Sequence, residues 1–280
     1  MSILKKNKTL FMILGSDAPE NQMDLKMQRE TWLNELLPNQ KHLVIRGSNQ
    51  ESAQLQEDTL LLPVIESYEN ILKKTLLGFR WALENTDFEV LIRTNVSTYF
   101  PVKLVDKEVE VIEPSSHFFG GYIDECWMPG NPYRKKTSFV AGTAIVLTRP
   151  TVELLCQSNL AEITGLPDDV AISQVLDNSR IPAQNFKRND LGSSHFFYPK
   201  FQIRVKTSSV SHLASKRMKN VHQYFQATNL FDKYFCYLKI SINEIKYVAS
   251  NIKQLFAFFG FSVRQLKKLV TKKSTRNLPL

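Results

Sequence analysis

The chain has 280 residues, of which 43% are hydrophobic, 11% aromatic and 22% charged. This composition is typical of a globular protein and excludes collagen-like, low-complexity and intrinsically disordered chains. The three cysteines, Cys126, Cys156 and Cys236, are too few and too scattered for a disulfide framework or a CxxC metal site. We therefore expect buried or free thiols in a reducing compartment.

The formal net charge of +9 is concentrated at the C-terminal end of the chain. Residues 233–280 carry ten Lys or Arg and one acid, whereas residues 1–232 hold 26 basic and 26 acidic side chains. A charge confined to a tail does not favour a domain that wraps a phosphate backbone, so we expect no nucleic-acid partner. We predict a body domain at 1–232 and a basic helical tail at 233–280.

No segment has the roughly 20 apolar residues that a membrane-spanning helix needs, and no targeting segment is apparent, so we expect a cytoplasmic protein. In the tail, apolar residues recur at helical spacing between Lys and Arg from Ile242 to Leu269. Basic amphipathic segments favour anionic membrane interfaces, which makes the inner face of a membrane an expected partner. A partner helix, or packing of the tail against the body, explains the same pattern.

Apolar runs of strand length alternate with helical patterns, which indicates an α/β fold with a mainly parallel sheet. The first half of the chain is predicted to form strands at 10–15, 42–45, 59–64 and 88–92 and helices at 24–37 and 67–84. Ser67 is expected to cap the second helix, and Pro63 marks an edge or a strand end. The second half is predicted to form strands at 117–123, 138–147 and 201–205 and helices at 151–158 and 168–176.

The strand at 88–92 is followed by the polar segment Arg93-Thr94-Asn95-Val96-Ser97. In open α/β sheets, ligands bind beyond the carboxyl ends of the strands. We therefore expect the chemistry of this protein at residues 93–97.

Six short motifs, taken in order, resemble a known family. They are QRETW at 28–32, ESYENILKKT at 66–75, FRW at 79–81, FVAGTA at 139–144, PDDV at 167–170 and IRVKT at 203–207. They are similar to the RxTW helix, the DSYxNLTLKT helix and its continuation, the small-residue strand, the EDV or DDV motif and the RCKS-type strand of the β-1,3-glycosyltransferases of family 31. That family includes β-1,3-galactosyltransferases, N-acetylglucosaminyltransferases and the Fringe proteins.

The resemblance implies a GT-A fold, a Rossmann-like domain that binds a nucleotide-sugar. It also implies inverting transfer of a hexose or N-acetylhexosamine, in β-1,3 linkage, from a donor such as a UDP-sugar. The acceptor would be a hydroxyl of a glycan, and a microbial polysaccharide or a lipid-linked glycan is a sensible class. The rival interpretation is a non-catalytic protein that binds nucleotide-sugar or glycan and has lost the metal site.

Inverting transfer needs a general base at the acceptor hydroxyl, and an ionised carboxylate suits that role. Asp169 is our first candidate and Asp168 our second. The alternative is that the pair only stabilises the start of the helix at 168–176. The residues expected to bind the donor are Arg29, Lys74, Arg93, Thr94, Asn95, Ser97 and Gly142.

The chain departs from the family where the DxD metal motif is expected, since Thr94-Asn95-Val96-Ser97 contains no carboxylate. Amide and hydroxyl oxygens are neutral ligands, so Mn²⁺ or Mg²⁺ held by Asn95 and Ser97, with His212 as a further candidate, would be weak or dispensable. A solvated loop histidine is the alternative for His212. Three interpretations of the altered strand end stay open: a metal-independent or metal-relaxed transferase, an inactive binding module, or a structural strand end with Arg93 as a surface cation.

Overall fold

The computed structural model describes residues 8–127, 136–162, 166–191, 200–205 and 211–242. Their strands are β1 (Thr9–Leu14), β2 (Gln40–Ser48), β3 (Gln54–Gln56), β4 (Thr59–Pro63), β5 (Val90–Asn95), β6 (Thr98–Tyr99), β7 (Phe119–Trp127), β8 (Lys136–Thr148), β9 (Ala183–Asn185), β10 (Arg188–Leu191) and β11 (Gln202–Val205). Their helices are α1 (Pro19–Arg29), α2 (Ile71–Asn85), α3 (Val102–Glu110), α4 (Arg149–Gln157), α5 (Asp168–Asn178) and α6 (Ser211–Gln226). Short 3₁₀ turns lie at Trp32–Glu35 and Asn159–Glu162, and residues 230–242 are helical.

The central sheet has eight strands in the order β3-β4-β2-β1-β5-β8-β7-β9 within the described ranges. Strands β4, β2, β1 and β5 run parallel, β8 is antiparallel to β5, and β7 is antiparallel to β8. This arrangement confirms the predicted mixed α/β class with a mainly parallel central sheet.

Strand β1 shows why the inner strands have continuous apolar sequences. Phe11 and Ile13 pack in the hydrophobic cluster on one face of the sheet, whereas Leu10 and Met12 pack in the cluster on the other face. Successive side chains of a strand point to opposite faces. Because both faces are covered, polar residues have no exposed position in such a strand.

A small second sheet with the order β10-β11-β6 lies beside the end of β5. Strand β11 pairs antiparallel with β6, which aligns Arg204 with Thr98. The backbone N–H of Val205 donates to the carbonyl oxygen of Ser97 at 2.8 Å. The last predicted strand therefore lies directly against the polar segment that follows β5.

The helix predicted at 24–37 is wrong in extent, because α1 ends at Arg29 and a separate 3₁₀ turn begins at Trp32. The indole of Trp32 is fully buried, and its ring centroid lies 5.2 Å from that of Phe11 and 5.1 Å from that of Phe100. The hydroxyl of Thr31 donates to the carbonyl oxygen of Met27 at 2.6 Å. The chain leaves the helix there so that Trp32 reaches the core.

The helix predicted at 67–84 begins later, at Ile71, and Asn70 rather than Ser67 precedes its first turn. Ser67 accepts a hydrogen bond from the backbone N–H of Asn70 at 3.3 Å, which stabilises the turn before the helix. Helix α3 and the strands β3, β6, β9 and β10 were not predicted. Strands of two to four residues carry too little hydrophobic pattern to be recognised from sequence.

The helix at 230–242 crosses the predicted boundary between residues 232 and 233. Its Ile240 packs in the same core cluster as Met218 and Val221 of α6. Residues 243–280, most of the predicted basic tail, lie outside the described residues, so the division into body and tail stays a prediction. All three cysteines are free thiols, as expected. None of the helices in the described part of the chain is long and apolar enough to cross a membrane.

Candidate functional site

A cavity of about 690 Å³ opens at the carboxyl ends of β1 and β5. Its other walls come from α2, the middle of β8, the first turn of α5 and the strands β10 and β11. This is the edge of the sheet where an open α/β fold binds ligands. Of the residues that the sequence singled out, the cavity is lined by Lys74, Arg93, Asn95, Ser97, Gly142, Asp168 and Asp169.

Arg93 and Asp168 form a buried ion pair at the floor of the cavity. The Arg93 side chain is 4% exposed and the Asp168 side chain 6%, and Nη2 of Arg93 donates to Oδ2 of Asp168. That oxygen also accepts the hydroxyl of Thr75 at 3.0 Å, and Nη1 of Arg93 donates to the carbonyl oxygen of Gly142 at 2.6 Å. Arg93 is therefore not a surface cation, and the structural interpretation that treated it as one is wrong on that point.

Asp169 presents its carboxylate to the cavity from the first turn of α5. Oδ2 accepts the backbone N–H of Gly142 at 2.9 Å, and Oδ1 accepts that of Val170 at 3.0 Å. Burial and the neighbouring charge of Asp168 raise the pKa of Asp169 above its usual range, although Arg93 and the two backbone N–H groups act in the opposite direction. Its two oxygens keep lone pairs for a further donor, because a carboxylate offers about four acceptor positions.

Gly142 is a glycine because two side chains approach its α-carbon closely. A Cβ atom at this position would lie 2.4 Å from Nη1 of Arg93 and 3.2 Å from Oδ2 of Asp169. The first distance is far below van der Waals contact. The small-residue segment of β8 thus allows the arginine and the carboxylate to meet at one backbone position.

The Asn95 side chain organises the turn between β5 and β6. Its Oδ1 accepts hydrogen bonds from the backbone N–H of Ser97 at 3.2 Å, the hydroxyl of Ser97 at 2.8 Å and the hydroxyl of Thr98 at 3.0 Å. An amide oxygen has two lone pairs, so these donors use its accepting capacity. Gln28 of α1 also stabilises the turn, because its side-chain amide donates to the carbonyl oxygens of Asn95 and Thr98.

This turn does not fit a divalent cation. Oxygen ligands must face a metal with a free lone pair, but Oδ1 of Asn95 is already engaged and the hydroxyl of Ser97 is one of its donors. The part of the chain that the structure describes contains no group of three or more His, Cys, Asp or Glu that could hold a metal ion. His212 lies at the start of α6, and its side chain falls outside the described residues.

Lys74 lines the cavity but is held by other groups. Its Nζ donates to the carbonyl oxygen of Gly15 at 2.9 Å and to Oε1 of Glu66 at 2.5 Å. Oε2 of Glu66 in turn accepts the backbone N–H of Gly47 at 2.7 Å. Burial lowers the pKa of Lys74, while the Glu66 carboxylate favours its charged form. The ammonium group therefore ties α2 to the end of β1.

Two of the predicted donor-binding residues lie away from the cavity. Arg29 donates from Nε to Oδ2 of Asp58 at 2.9 Å and from Nη2 to Oδ1 at 2.5 Å, at the outer end of α1. Thr94 is fully buried, and its hydroxyl donates to the carbonyl oxygen of Thr143 at 2.6 Å, which joins β5 to β8. The structure does not bring either side chain to the other candidates.

Four charged residues of the cavity were not among the predicted site residues: Glu66, Asp124, Arg188 and Arg204. Arg188 is held by Asp190, to whose Oδ2 it donates from Nε at 3.1 Å and from Nη2 at 2.9 Å, and it stacks on Tyr122 at 3.9 Å from the ring centroid. Arg204 belongs to the strand motif at 203–207, so the signal that could have identified it was a charged residue inside an apolar strand. No local pattern marks Asp124 or Arg188.

The fold is that of a mixed α/β protein, and its largest described feature at the carboxyl ends of β1 and β5 is an open cavity lined by charged side chains. No protein-family model matches the chain. The chain is 30% identical over 136 residues to mouse (Mus musculus) UDP-GalNAc:beta-1,3-N-acetylgalactosaminyltransferase 2. The match covers 44% of this chain and 26% of the mouse enzyme, so the chain spans about a quarter of that relative's length.

The chain is also similar in part to solved structures of two sugar transferases and a nucleotide transferase. Mannosyltransferase PcManGT from Pyrobaculum calidifontis is 11% identical, with a TM-score of 0.39 over 97% of this chain and 81% of that one. The galactosyltransferase LgtC is 10% identical (TM-score 0.45, 79% of this chain, 98% of that one). The inositol-1-phosphate CTP transferase of T. maritima is 8% identical (TM-score 0.45, 77% of this chain, 98% of that one).

Proposed function

We propose that the chain is a GT-A glycosyltransferase that moves a hexose or an N-acetylhexosamine from a nucleotide diphosphate-sugar to a glycan hydroxyl with inversion. The observation that carries the proposal is the open carboxylate of Asp169 in a cavity that also contains cationic side chains. The partial similarity to a mouse β-1,3-N-acetylgalactosaminyltransferase supports a UDP-sugar donor and a β-1,3 linkage.

Asp169 is the general base of the proposed reaction. Asp168 is less suited to that role because Arg93 holds its carboxylate in a buried pair, whereas the Asp169 carboxylate faces the cavity. A raised pKa also makes Asp169 a stronger base than an ordinary aspartate. The backbone N–H groups of Gly142 and Val170 orient the carboxylate toward an incoming hydroxyl.

The proposed step is a direct displacement at the anomeric carbon. The acceptor hydroxyl gives its proton to Asp169 while its oxygen forms a bond to the anomeric carbon. The bond from that carbon to the diphosphate breaks, and its electron pair stays on the leaving phosphate oxygen. Cationic groups that face this oxygen stabilise the transition state, because negative charge develops there.

Calorimetric titration with UDP-, GDP- and thymidine diphosphate-sugars, each with EDTA and with Mn²⁺, tests the donor site. We expect a UDP-sugar to bind and the bound donor to be transferred to a hydroxyl of a glycan acceptor. Absence of binding for every donor in both conditions would contradict the proposal. Binding without transfer to any acceptor would instead favour a nucleotide-sugar-binding protein.

We also propose that the C-terminal part of the chain binds an anionic membrane surface, where a lipid-linked acceptor would lie. In the helix at 230–242, one face exposes apolar side chains at helical spacing: Phe231, Tyr234, Phe235, Leu238 and Ile242. The opposite face buries Cys236 and Ile240 against the body. The remaining residues, up to 280, are strongly basic, which suits anionic lipid.

Sedimentation of the full chain with vesicles tests this membrane proposal. We expect binding to vesicles that contain phosphatidylglycerol and little binding to pure phosphatidylcholine. The double substitution Phe231→Ser and Phe235→Ser should weaken binding, because it removes apolar area from the exposed face. Equal binding to both vesicle types, or a concentration-dependent dimer that disappears in the double variant, would contradict the proposal.

A further inference from the structure

We infer that Arg204 binds the diphosphate of the donor and supplies, as a guanidinium, the positive charge that the family obtains from a metal ion. This inference rests on the proposed function, because it assigns a residue to the leaving group of that reaction. It is carried by the position of Arg204 in the small sheet and by the partners of the other cations in the cavity.

The backbone places Arg204 beside the turn between β5 and β6. Strand β11 pairs antiparallel with β6 so that Arg204 lies opposite Thr98, and the next residue, Val205, donates to the carbonyl oxygen of Ser97. Thr98 and Ser97 are the residues of the turn that Asn95 closes. A cation on β11 is therefore held beside a strand end, residues 94–97, that contains no carboxylate.

Arg204 differs from the other cations of the cavity in having no partner among the described residues. Lys74 is held by Glu66, Arg93 by Asp168, and Arg188 by Asp190. No hydrogen bond or ion pair joins Arg204 to any residue in the described ranges, and its Nε is buried without an acceptor. Asp190 lies opposite Arg204 in the pairing of β10 with β11, but its Oδ2 accepts both Nε and Nη2 of Arg188.

A partly buried guanidinium without a partner is costly unless a ligand supplies the missing acceptors. Arginine presents its N–H donors in a planar fork that matches the oxygens of a phosphate group. The same fork remains charged at every physiological pH, so it needs no bound ion to stabilise a departing diphosphate. The turn at Asn95 does not suit a metal ion, and the Arg204 guanidinium would supply the positive charge at this place instead.

The test measures the binding of UDP to the full chain by calorimetry, with GDP and thymidine diphosphate in parallel, in EDTA and in Mn²⁺. We expect the preferred nucleotide to bind in EDTA nearly as tightly as in Mn²⁺. Arg204→Gln should weaken that binding at least about tenfold in EDTA, because a charge-assisted contact is lost. The binding of uridine, which has no phosphate, should not change.

Two further variants separate the inference from a general loss of structure. Arg204→Lys keeps the charge but loses the fork, and should retain part of the affinity for UDP. Arg80→Gln changes an exposed arginine on α2, outside the cavity, and should bind UDP as the unaltered chain does. Thermal unfolding of each variant shows whether the fold is intact.

The outcomes that overturn the inference are distinct from those that overturn the proposed function. If a nucleotide binds only with Mn²⁺, or if Arg204→Gln binds UDP normally in EDTA, the inference fails while the donor site stands. A loss of uridine and UDP affinity together would also overturn it, because the effect would not depend on phosphate. Binding of no nucleotide in either condition would overturn both.

Discussion

Asp169→Asn is expected to reduce sugar transfer roughly 10²- to 10⁴-fold, the range that general acid–base catalysis contributes. Asparagine keeps the shape of the side chain and an oxygen that can accept the N–H of Gly142, but it cannot take a proton from the acceptor. Donor affinity should change little, because the proposed role concerns the acceptor hydroxyl. Initial rates and calorimetry on the same preparation check both expectations.

The pH dependence of transfer gives a second measure of the same residue. A general base must be ionised, so kcat/KM should rise with pH through the pKa of Asp169. Burial and the charge of Asp168 raise that pKa, and the rising limb should therefore lie above the usual range of an aspartate. Asp169→Asn should remove this limb from the residual activity.

Two aspartates provide controls for Asp169→Asn. Asp177 lies on the same helix with an exposed side chain, and Asp177→Asn should leave transfer unchanged. Asp124 is another carboxylate that lines the cavity, with a side chain that is 46% exposed. If Asp124→Asn or Asp168→Asn abolished transfer while Asp169→Asn remained active, the role of base would belong to that other residue.

Arg93→Met is expected to lower the free energy of unfolding by about 3–5 kcal/mol, the cost of leaving one partner of a buried ion pair uncompensated. Among the described residues, the substitution leaves the hydroxyl of Thr75 as the hydrogen-bond donor to the buried Asp168 carboxylate, and it removes a donor from the carbonyl oxygen of Gly142. Urea unfolding at neutral pH measures the loss. Donor binding should weaken as well, because Arg93 holds the wall of the cavity.

The double variant Arg93→Met with Asp168→Asn should recover part of the lost stability, since it removes the isolated charge. Lys8 and Asp87 form an exposed ion pair that serves as a comparison, and Lys8→Met should have a much smaller effect. A negligible loss of stability in Arg93→Met would mean that the buried pair contributes little to the stability of the fold. An unrecovered double variant would point to the bond with Gly142 instead.

The local sequence patterns predicted the central strands well, because a strand that is buried on both faces needs a run of apolar residues regardless of the rest of the sequence. The runs at 10–15 and 88–92 became β1 and β5, and the acids at 168–169 became the first turn of α5. The end of the helix at 24–37 was missed because the burial of Trp32 against Phe11 and Phe100 depends on the whole core. The helical periodicity of the sequence does not show that Trp32 must pack against these two rings.

The sequence by itself determined the α/β class and the candidate segments at 93–97 and 167–170, since apolar spacing and polar strand ends are local properties. Only the tertiary structure decided which charges are free. Arg93 and Asp168 neutralise each other across a long stretch of chain, which leaves Asp169 as the open carboxylate of the two neighbouring aspartates. Pairing of β11 with β6 brings Arg204 to the turn at Asn95. These pairings are non-local, and whether a charged group is free or occupied depends on its neighbours in space.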